Sequence, residues 1–384
     1  MDFELDGDQK LLQETVRSFA LNELAPDKVQ RAHAGAYPWD VAKKLGEMGL
    51  LGLTIPVEKG GMGGTVVDAI IAIQAVAEGC PRSADVVQAG NFGAIRTFAE
   101  YATDDQRERF LPRLLAGESI MSVAMTEPDA GSAVTELTTS ARADGDDFLI
   151  NGSKVFGTNS DDAEVFLVYV RYGPGVGGIG SVLVERDAPG LTIGEPSAFM
   201  NGESWSQLYF DDCRVPATNV LLGPGGFKQQ ISGFNVERLG NSARAVAVGR
   251  HAFVEARDHA LERHQFGRPL AEFQGLQWKF ADMELKLESA QLLLMRAAHR
   301  AVTELPSAHD TALAKLACNE AGFFAANEAM QVMGGLGFSS ESIVQYCVRR
   351  CRGWMIAGGS IEILKNRIAE GVFDRRFDQR PPRV

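Results

Sequence analysis

The sequence is poor in cysteine, with only five among its 384 residues, and these are scattered along the chain. None belongs to a CxxC pair, and no histidine stands beside any of them. Zinc sites and disulfide frameworks need closely spaced ligands or an even set of cysteines, so this pattern disfavours both. We therefore expect reduced, mostly buried thiols and no bound metal.

Long apolar runs and an excess of positive charge are also missing. No segment reaches the roughly 18 consecutive apolar residues of a membrane span. The N-terminal MDFELDGDQK has neither the basic nor the apolar region of a secretory signal. The chain carries 38 Lys and Arg against 50 Asp and Glu, a formal net charge of −12, which disfavours binding to nucleic acid or anionic membranes. We expect a cytoplasmic protein with no nucleic acid partner and no membrane span.

What is present is an ordinary globular composition, with 45% hydrophobic and 23% charged residues. A chain of this length exceeds one compact core, so several packed modules are expected. From Asp8 to about Leu115, and again from Gly226 to about Phe373, apolar residues recur every three to four positions, which is typical of amphipathic helices. Between them, from about Ile120, short alternating runs bounded by Gly and Asp indicate strands.

These periods predict three domains, namely a helical domain at residues 1–117, a β domain at 118–226 and a helical domain at 227–384. The glycine-rich segment Gly173–Gly180, GPGVGGIG, loosely matches a dinucleotide fingerprint, but strand-like runs flank it on both sides. A Rossmann fingerprint lies between a strand and a helix, so we expect a hairpin loop here. Any nucleotide cofactor must then be held by a different fold.

Four motifs occur in a fixed order: MTEPDAGS at 125–132, NGSKVFGTNS at 151–160, RHQFGRPLAEFQ at 263–274 and QVMGGLGF at 331–338. Together they resemble the acyl-CoA dehydrogenase family of flavoproteins, and the resemblance covers almost the whole chain. It implies an α+β fold with an N-terminal helical domain, a middle β-barrel or sandwich and a C-terminal four-helix bundle. It also implies FAD as the cofactor.

The resemblance further implies which residues hold FAD. The first two motifs provide the contacts of one subunit: Met125, Thr126, Gly131, Ser132, Phe156 and Thr158. The last two reach the FAD of a neighbouring subunit, which implies a homotetramer built as a dimer of dimers: Arg263, Phe266, Gln274, Gln331, Gly334 and Gly335. Ser360 and Glu362 match positions beside the cofactor. From the residues alone, an ordinary turn after a strand is the favoured interpretation of Thr126 and Ser132. A solvated charge at a helix end is the alternative for Arg263. Many relatives have Trp in place of Phe156.

Desaturation of a thioester requires a base beside Cα in a dry pocket. In many relatives the base is the glutamate of a late Tyr-Glu-Gly-Thr segment, but the equivalent stretch here, IAGGSIEIL, has Gly358 at that position. A subgroup that includes isovaleryl-CoA and long-chain enzymes carries its glutamate on an earlier helix, and its resemblance to this chain points to Glu237. Alternatively, Glu237 pairs with Arg238 or with solvent at a helix start. Glu362 is a second candidate.

The family resemblance also implies a group that binds the thioester. In the family, the backbone amide at the position of Gly358 and a ribityl hydroxyl of FAD bind the thioester carbonyl, in the manner of an oxyanion hole. Arg238 matches a substrate-binding arginine of the family. Ser132 and Asn235 are weaker candidates for contact with the thioester.

The leading prediction is an FAD-dependent acyl-CoA dehydrogenase of fatty acid metabolism, in which Glu237 takes the α proton and FAD N5 accepts the β hydride. An electron-transferring flavoprotein is the expected oxidant. The alternatives are a dehydrogenase of acyl or aminoacyl groups on a carrier protein, a flavin monooxygenase or oxidase, and a non-catalytic subunit. The length and branching of the acyl chain stay open.

Overall fold

A computed structural model describes residues 4–301 and 305–377. Its N-terminal part is helical, and three of its helices begin with a reciprocal capping box, at Asp6 and Gln9, Thr65 and Asp68, and Thr103 and Gln106. The helices are α1 Gly7–Phe19, α2 Lys28–His33, α3 Trp39–Glu47, α4 Val66–Gly79, α5 Ala84–Ala89, α6 Gly93–Tyr101 and α7 Asp104–Leu115. Helix α4 is apolar on all sides and lies in the centre of the main hydrophobic core.

The middle part of the chain forms a sheet. Its strands are β1 Met121–Ala124, β2 Ser140–Asp144, β3 Asp147–Lys154, β4 Val165–Arg171, β5 Ile179–Glu185, β6 Leu191–Ile193, β9 Leu208–Pro216 and β10 Val220–Leu222, and a separate pair consists of β7 Ser197–Ala198 and β8 Ser204–Trp205. The order in the sheet is β10-β5-β4-β2-β3-β9-β6, with β1 parallel to β4. Strands β4 and β5 are antiparallel neighbours, so the glycine-rich segment between them is the predicted hairpin loop.

The last part is helical again and contains one small hairpin, β11 His264–Gln265 with β12 Arg268–Pro269. Its helices are α8 Phe227–Glu262, α9 Gln274–His299, α10 Ala308–Met333, α11 Gly335–Phe338, α12 Ile343–Trp354 and α13 Ile361–Val372. Helices α8 and α10 approach closely at two glycines, because a Cβ added to Gly249 would lie 2.7 Å from the Cα of Gly322. The close approach brings the side chains of these two helices together elsewhere along their length.

The predicted order of helical, β and helical parts is confirmed, and so is the fold class. All five cysteines are buried and unpaired, as expected from their scatter. Within residues 4–301 and 305–377, every helix is too short or too polar to cross a membrane.

Candidate active site

Glu237 lies on α8, ten residues from its first residue, and its carboxylate points toward α5. There the side-chain amide of Gln88 donates a hydrogen bond to Glu237 Oε2 at 2.6 Å. Gly93, at the start of α6, also faces the carboxylate. It has a φ of +65°, and a Cβ added to it would lie 2.9 Å from the same oxygen. A glycine at position 93 therefore leaves room for the Glu237 carboxylate.

The surroundings of Glu237 raise its pKa. Burial is the main cause, because it disfavours the charged form, and it outweighs the opposite effects of Arg244, Gln88, Lys315 and Arg350. Glu237 lies within α8 and its hydrogen bond is to Gln88, so the pairing at a helix start considered above is not what the structure has. A carboxylate with a raised pKa is suited to accept a proton near neutral pH.

A turn between α12 and α13 carries the second predicted catalytic position. Gly358 and Gly359 have φ values of +70° and +96°, which glycine adopts without strain. A Cβ added to Gly358 would lie 4.0 Å from the amide nitrogen of Asn241. Because Asn241 is one helical turn after Glu237 on the same face of α8, the turn and the carboxylate lie close together.

Arg238 and Asn235, the predicted substrate contacts, are held by the protein itself. Arg238 Nε donates to the Gly358 carbonyl at 3.2 Å, and Arg238 Nη1 donates to Asn235 Oδ1 at 2.9 Å. The Asn235 amide in turn donates to the carbonyl of Pro306 at 3.2 Å. Both side chains thus support the glycine turn, and Arg238 still has donors that these bonds do not use.

A buried cluster of five charges lies next to Glu237, and no sequence motif predicts it. Asp85 accepts from Arg244 at 2.8 Å and pairs with Arg350 at 3.0 Å. Glu203 accepts from Arg82 at 2.8 Å and also from Arg350. The five residues come from four segments that are far apart in sequence, so no local pattern could have found the cluster.

The cluster acts on Glu237 through charge and through position. Burial alone would raise the pKa of Asp85. The positive charges of Arg350, Arg244 and Arg82 outweigh this effect and lower its pKa to about 2. Arg244 lies two turns after Glu237 on α8, and Asp85 lies one turn before Gln88 on α5. Because these ion pairs join α5 to α8, they hold Gln88 in place against the Glu237 carboxylate.

The first predicted cofactor motif packs against the same stretch of α8. Met125 belongs to an apolar group that includes Phe234, one turn before Glu237. A buried ion pair fixes the motif, because Lys154 Nζ lies 2.7 Å from Glu127 Oε1 and donates to the Met125 carbonyl at 3.1 Å. The structure therefore joins the first predicted cofactor motif to the stretch of α8 that carries the candidate base. Glu127 and Lys154 were not predicted.

Phe156 has features that suit a planar cofactor. Its backbone is in the left-handed region, with φ of +61°, although it is not glycine. The residue is 57% exposed, and its ring packs on Trp205 at 4.6 Å between centroids. Thr158 pairs with the same strand residue, Trp205, through a backbone bridge. A strained position that presents an open aromatic face suits a flat heterocycle, so these residues fit FAD.

The FAD contacts predicted from the last two motifs lie at the C-terminal end of α8. Because Glu237 is near Lys315 and Gly249 is near Gly322, α8 and α10 run in the same direction. Their C-terminal ends therefore share one end of the bundle, about 38 Å along α8 from Glu237 by the helical rise. This end carries all six predicted residues, and all are exposed: Arg263, Phe266, Gln274, Gln331, Gly334 and Gly335. They therefore lie far along α8 from the candidate base of their own chain.

Of the remaining predicted residues, three are exposed, while Thr126 and Ser360 are half-buried. Gly131 and Ser132 are exposed in the turn after β1. Ser360 caps α13, and Glu362 is exposed in the first turn of that helix, where a hydrogen bond from Ser360 lowers its pKa. An exposed carboxylate with a lowered pKa is poorly suited to proton abstraction in a dry pocket.

Three family models match the chain in sequence order. Residues 6–118 match the acyl-CoA dehydrogenase N-terminal domain, residues 122–213 the middle domain and residues 224–373 the C-terminal domain.

Whole-length relatives are also found. The chain is 34% identical over 386 residues to a 3-sulfinopropanoyl-CoA desulfinase of Paraburkholderia xenovorans, covering 98% of this chain and 99% of the relative. It is 33% identical over 378 residues to a short-chain specific acyl-CoA dehydrogenase of Clostridium acetobutylicum, covering 97% and 100%. The solved butyryl-CoA dehydrogenase of Megasphaera elsdenii superposes with a TM-score of 0.91 at 30% identity, covering 98% and 100%.

Proposed function

Because this chain belongs to the acyl-CoA dehydrogenase family, as an FAD-dependent oxidoreductase that acts on CH–CH bonds, we propose that Glu237 is its catalytic base. The observation that carries the proposal is the Glu237 carboxylate itself, which accepts from Gln88 and whose pKa burial raises. It lies one turn from Asn241, which faces the Gly358 turn. The exposed Glu362 is no competitor for this role.

The reaction that these residues support is α,β-dehydrogenation of an acyl-CoA thioester. Glu237 takes the proton from Cα, while a hydride leaves Cβ and the double bond forms between the two carbons. FAD, when bound, supplies the acceptor for the hydride. The Gly358 amide donates to the thioester carbonyl oxygen, where negative charge develops as the α proton departs. Arg238, which already holds the Gly358 carbonyl, has free donors for the substrate.

The experiment that tests this function is an anaerobic titration of the purified holoprotein with acyl-CoA thioesters of increasing length. We expect the visible absorbance of the oxidised flavin to bleach with at least one thioester and the matching 2-enoyl-CoA to form. The same acyl groups on a carrier protein are run in parallel, because the carrier-protein alternative predicts bleaching only there. A flavin that every thioester leaves oxidised would exclude the proposal.

We propose an electron-transferring flavoprotein as the partner that reoxidises the enzyme. The exposed face of Phe156 beside the proposed flavin site gives such a partner a point of approach. Turnover that requires this partner, with slow reoxidation by oxygen, would support the assignment. Rapid reoxidation by oxygen with formation of hydrogen peroxide would favour the oxidase alternative.

A homotetramer is the assembly that we predict, since six predicted FAD contacts lie about 38 Å along α8 from the chain's own base. A neighbouring chain would bring them to the cofactor, and closed symmetric assembly is the usual arrangement for such a contact. Sedimentation velocity of the holoprotein is expected to give the mass of a dimer of dimers. A fully loaded monomer would contradict this arrangement.

A further inference from the structure

Lys315, on α10, is a buried cation without a carboxylate in contact. Its side chain has no solvent exposure, and its ammonium donates to the carbonyls of Trp354 and Gly359, each at 3.0 Å. Within residues 4–301 and 305–377, no carboxylate oxygen lies within ion-pair distance of it. Burial of an unpaired ammonium costs free energy of folding, so we expect Lys315 to have a functional role at this position.

The two carbonyls that Lys315 binds lie at the two ends of the Gly358 turn. Asn319 donates to the Trp354 carbonyl at 2.7 Å, and Arg238 donates to the Gly358 carbonyl at 3.2 Å. Asn319 and Arg238 each bind one carbonyl of the turn. Lys315 binds two, and so connects Trp354 at the end of α12 to Gly359. Two consecutive glycines at positive φ have little stiffness of their own, so the amide of Gly358 depends on such ties for its direction.

Lys315 also lies on the side of α8 that carries Glu237, because a Cβ added to Gly358 would lie 3.5 Å from Lys315 Cε and 4.0 Å from Asn241 Nδ2, one helical turn after Glu237. The charged groups that face Glu237 are Lys315 from α10, Arg244 from α8 and Arg350 from α12, and each lowers the pKa that burial raises. Burial, together with Arg238, lowers the pKa of Lys315 to about 7, while Glu237 opposes this shift. Lys315 thus carries its proton throughout the acidic range, and there it favours the ionised carboxylate.

We propose that Lys315 is a positioning residue for the dehydrogenation: it fixes the turn that presents the Gly358 amide, and its charge favours ionised Glu237. The inference rests on the proposed function. As the α proton moves to Glu237, negative charge leaves the carboxylate and develops on the thioester oxygen beside Gly358. A Gly358 amide that Lys315 holds in a fixed direction stabilises the charge on the thioester oxygen without reorganisation, and the charge of Lys315 keeps Glu237 ionised before the transfer.

The test compares Lys315→Met with Asn319→Leu. Both variants remove a hydrogen bond to the Trp354 carbonyl, but only Lys315→Met removes a charge. For Lys315→Met we expect flavin reduction by acyl-CoA to slow by about 10- to 100-fold, with thioester affinity changed by less than about threefold. Loss of the nearby cation raises the pKa of Glu237, so the acidic limb of kcat/KM moves to higher pH. In Asn319→Leu that limb stays in place.

Lys315→Gln keeps a neutral donor at the same position and serves as the second variant if Lys315→Met does not fold, with retained FAD and circular dichroism as the criteria of folding. Its acidic limb is expected to move in the same direction. An unchanged limb in the folded lysine variant, or an equal displacement in Asn319→Leu, would overturn the inference while the proposed function stands. A parent protein that no acyl-CoA reduces would overturn both.

Discussion

Glu237→Gln is expected to slow flavin reduction by acyl-CoA by about 10²- to 10⁴-fold, the usual contribution of a positioned base. The amide keeps the shape of the side chain and still accepts the hydrogen bond of Gln88, but it cannot take the α proton. Retained FAD and unchanged affinity for the thioester would locate the loss in the chemical step. Anaerobic stopped-flow mixing measures the rate directly.

Glu255→Gln is the matched control, because Glu255 lies on the same helix and its carboxylate contacts Lys28, away from the site. Its rate should equal that of the parent. A near-parental rate in Glu237→Gln would exclude Glu237 as the base. Adding Gly358→Glu to the Glu237→Gln variant is expected to restore only part of the rate, because a φ of +70° costs a non-glycine residue about 1 kcal/mol or more.

Arg263→Ala is expected to weaken FAD retention by about 10- to 100-fold, which corresponds to the roughly 1.5–3 kcal/mol of a hydrogen bond to a charged group. The guanidinium is exposed at the end of α8 and makes no hydrogen bond or ion pair within the described part of the chain. Its removal therefore leaves the folded chain itself intact. Flavin absorbance after exhaustive dialysis, with the melting temperature of the apoprotein as a second reading, separates the two effects.

Arg257→Ala provides the comparison, since Arg257 is an exposed arginine near the same helix end that pairs with Asp258. It should keep FAD as the parent does. Equal retention of FAD by Arg263→Ala and the parent would show that Arg263 is a solvated charge at a helix end, the reading that the residues alone left open.

The fold was largely predictable from the sequence because its signals are local. The three-to-four period of α8 and the alternation of β4 and β5 depend on residues that are neighbours along the chain. The hairpin at Gly173–Gly180 followed from the strands on either side. Membership of the family, and with it FAD, followed from four motifs that are continuous in sequence.

The support of the site could not be predicted in this way. Gln88 reaches Glu237 from 149 positions away, and Lys315 binds the Gly359 carbonyl across 44. A buried lysine and a buried glutamine look like surface residues in a sequence, because such side chains are usually exposed. Only their packing shows that Gln88 contacts the Glu237 carboxylate and that Lys315 contacts the Gly358 turn.

Exchange of the α hydrogen with solvent tests the central claim, proton abstraction by Glu237, most directly. Chemical reduction of the flavin with dithionite prevents hydride transfer, so only removal and return of the α proton remain. In deuterium oxide, the parent protein is expected to introduce deuterium at Cα of acyl-CoA, measured by mass spectrometry, and Glu237→Gln is expected to introduce almost none. Equal deuterium incorporation by the two proteins would contradict the assignment of Glu237 as the base.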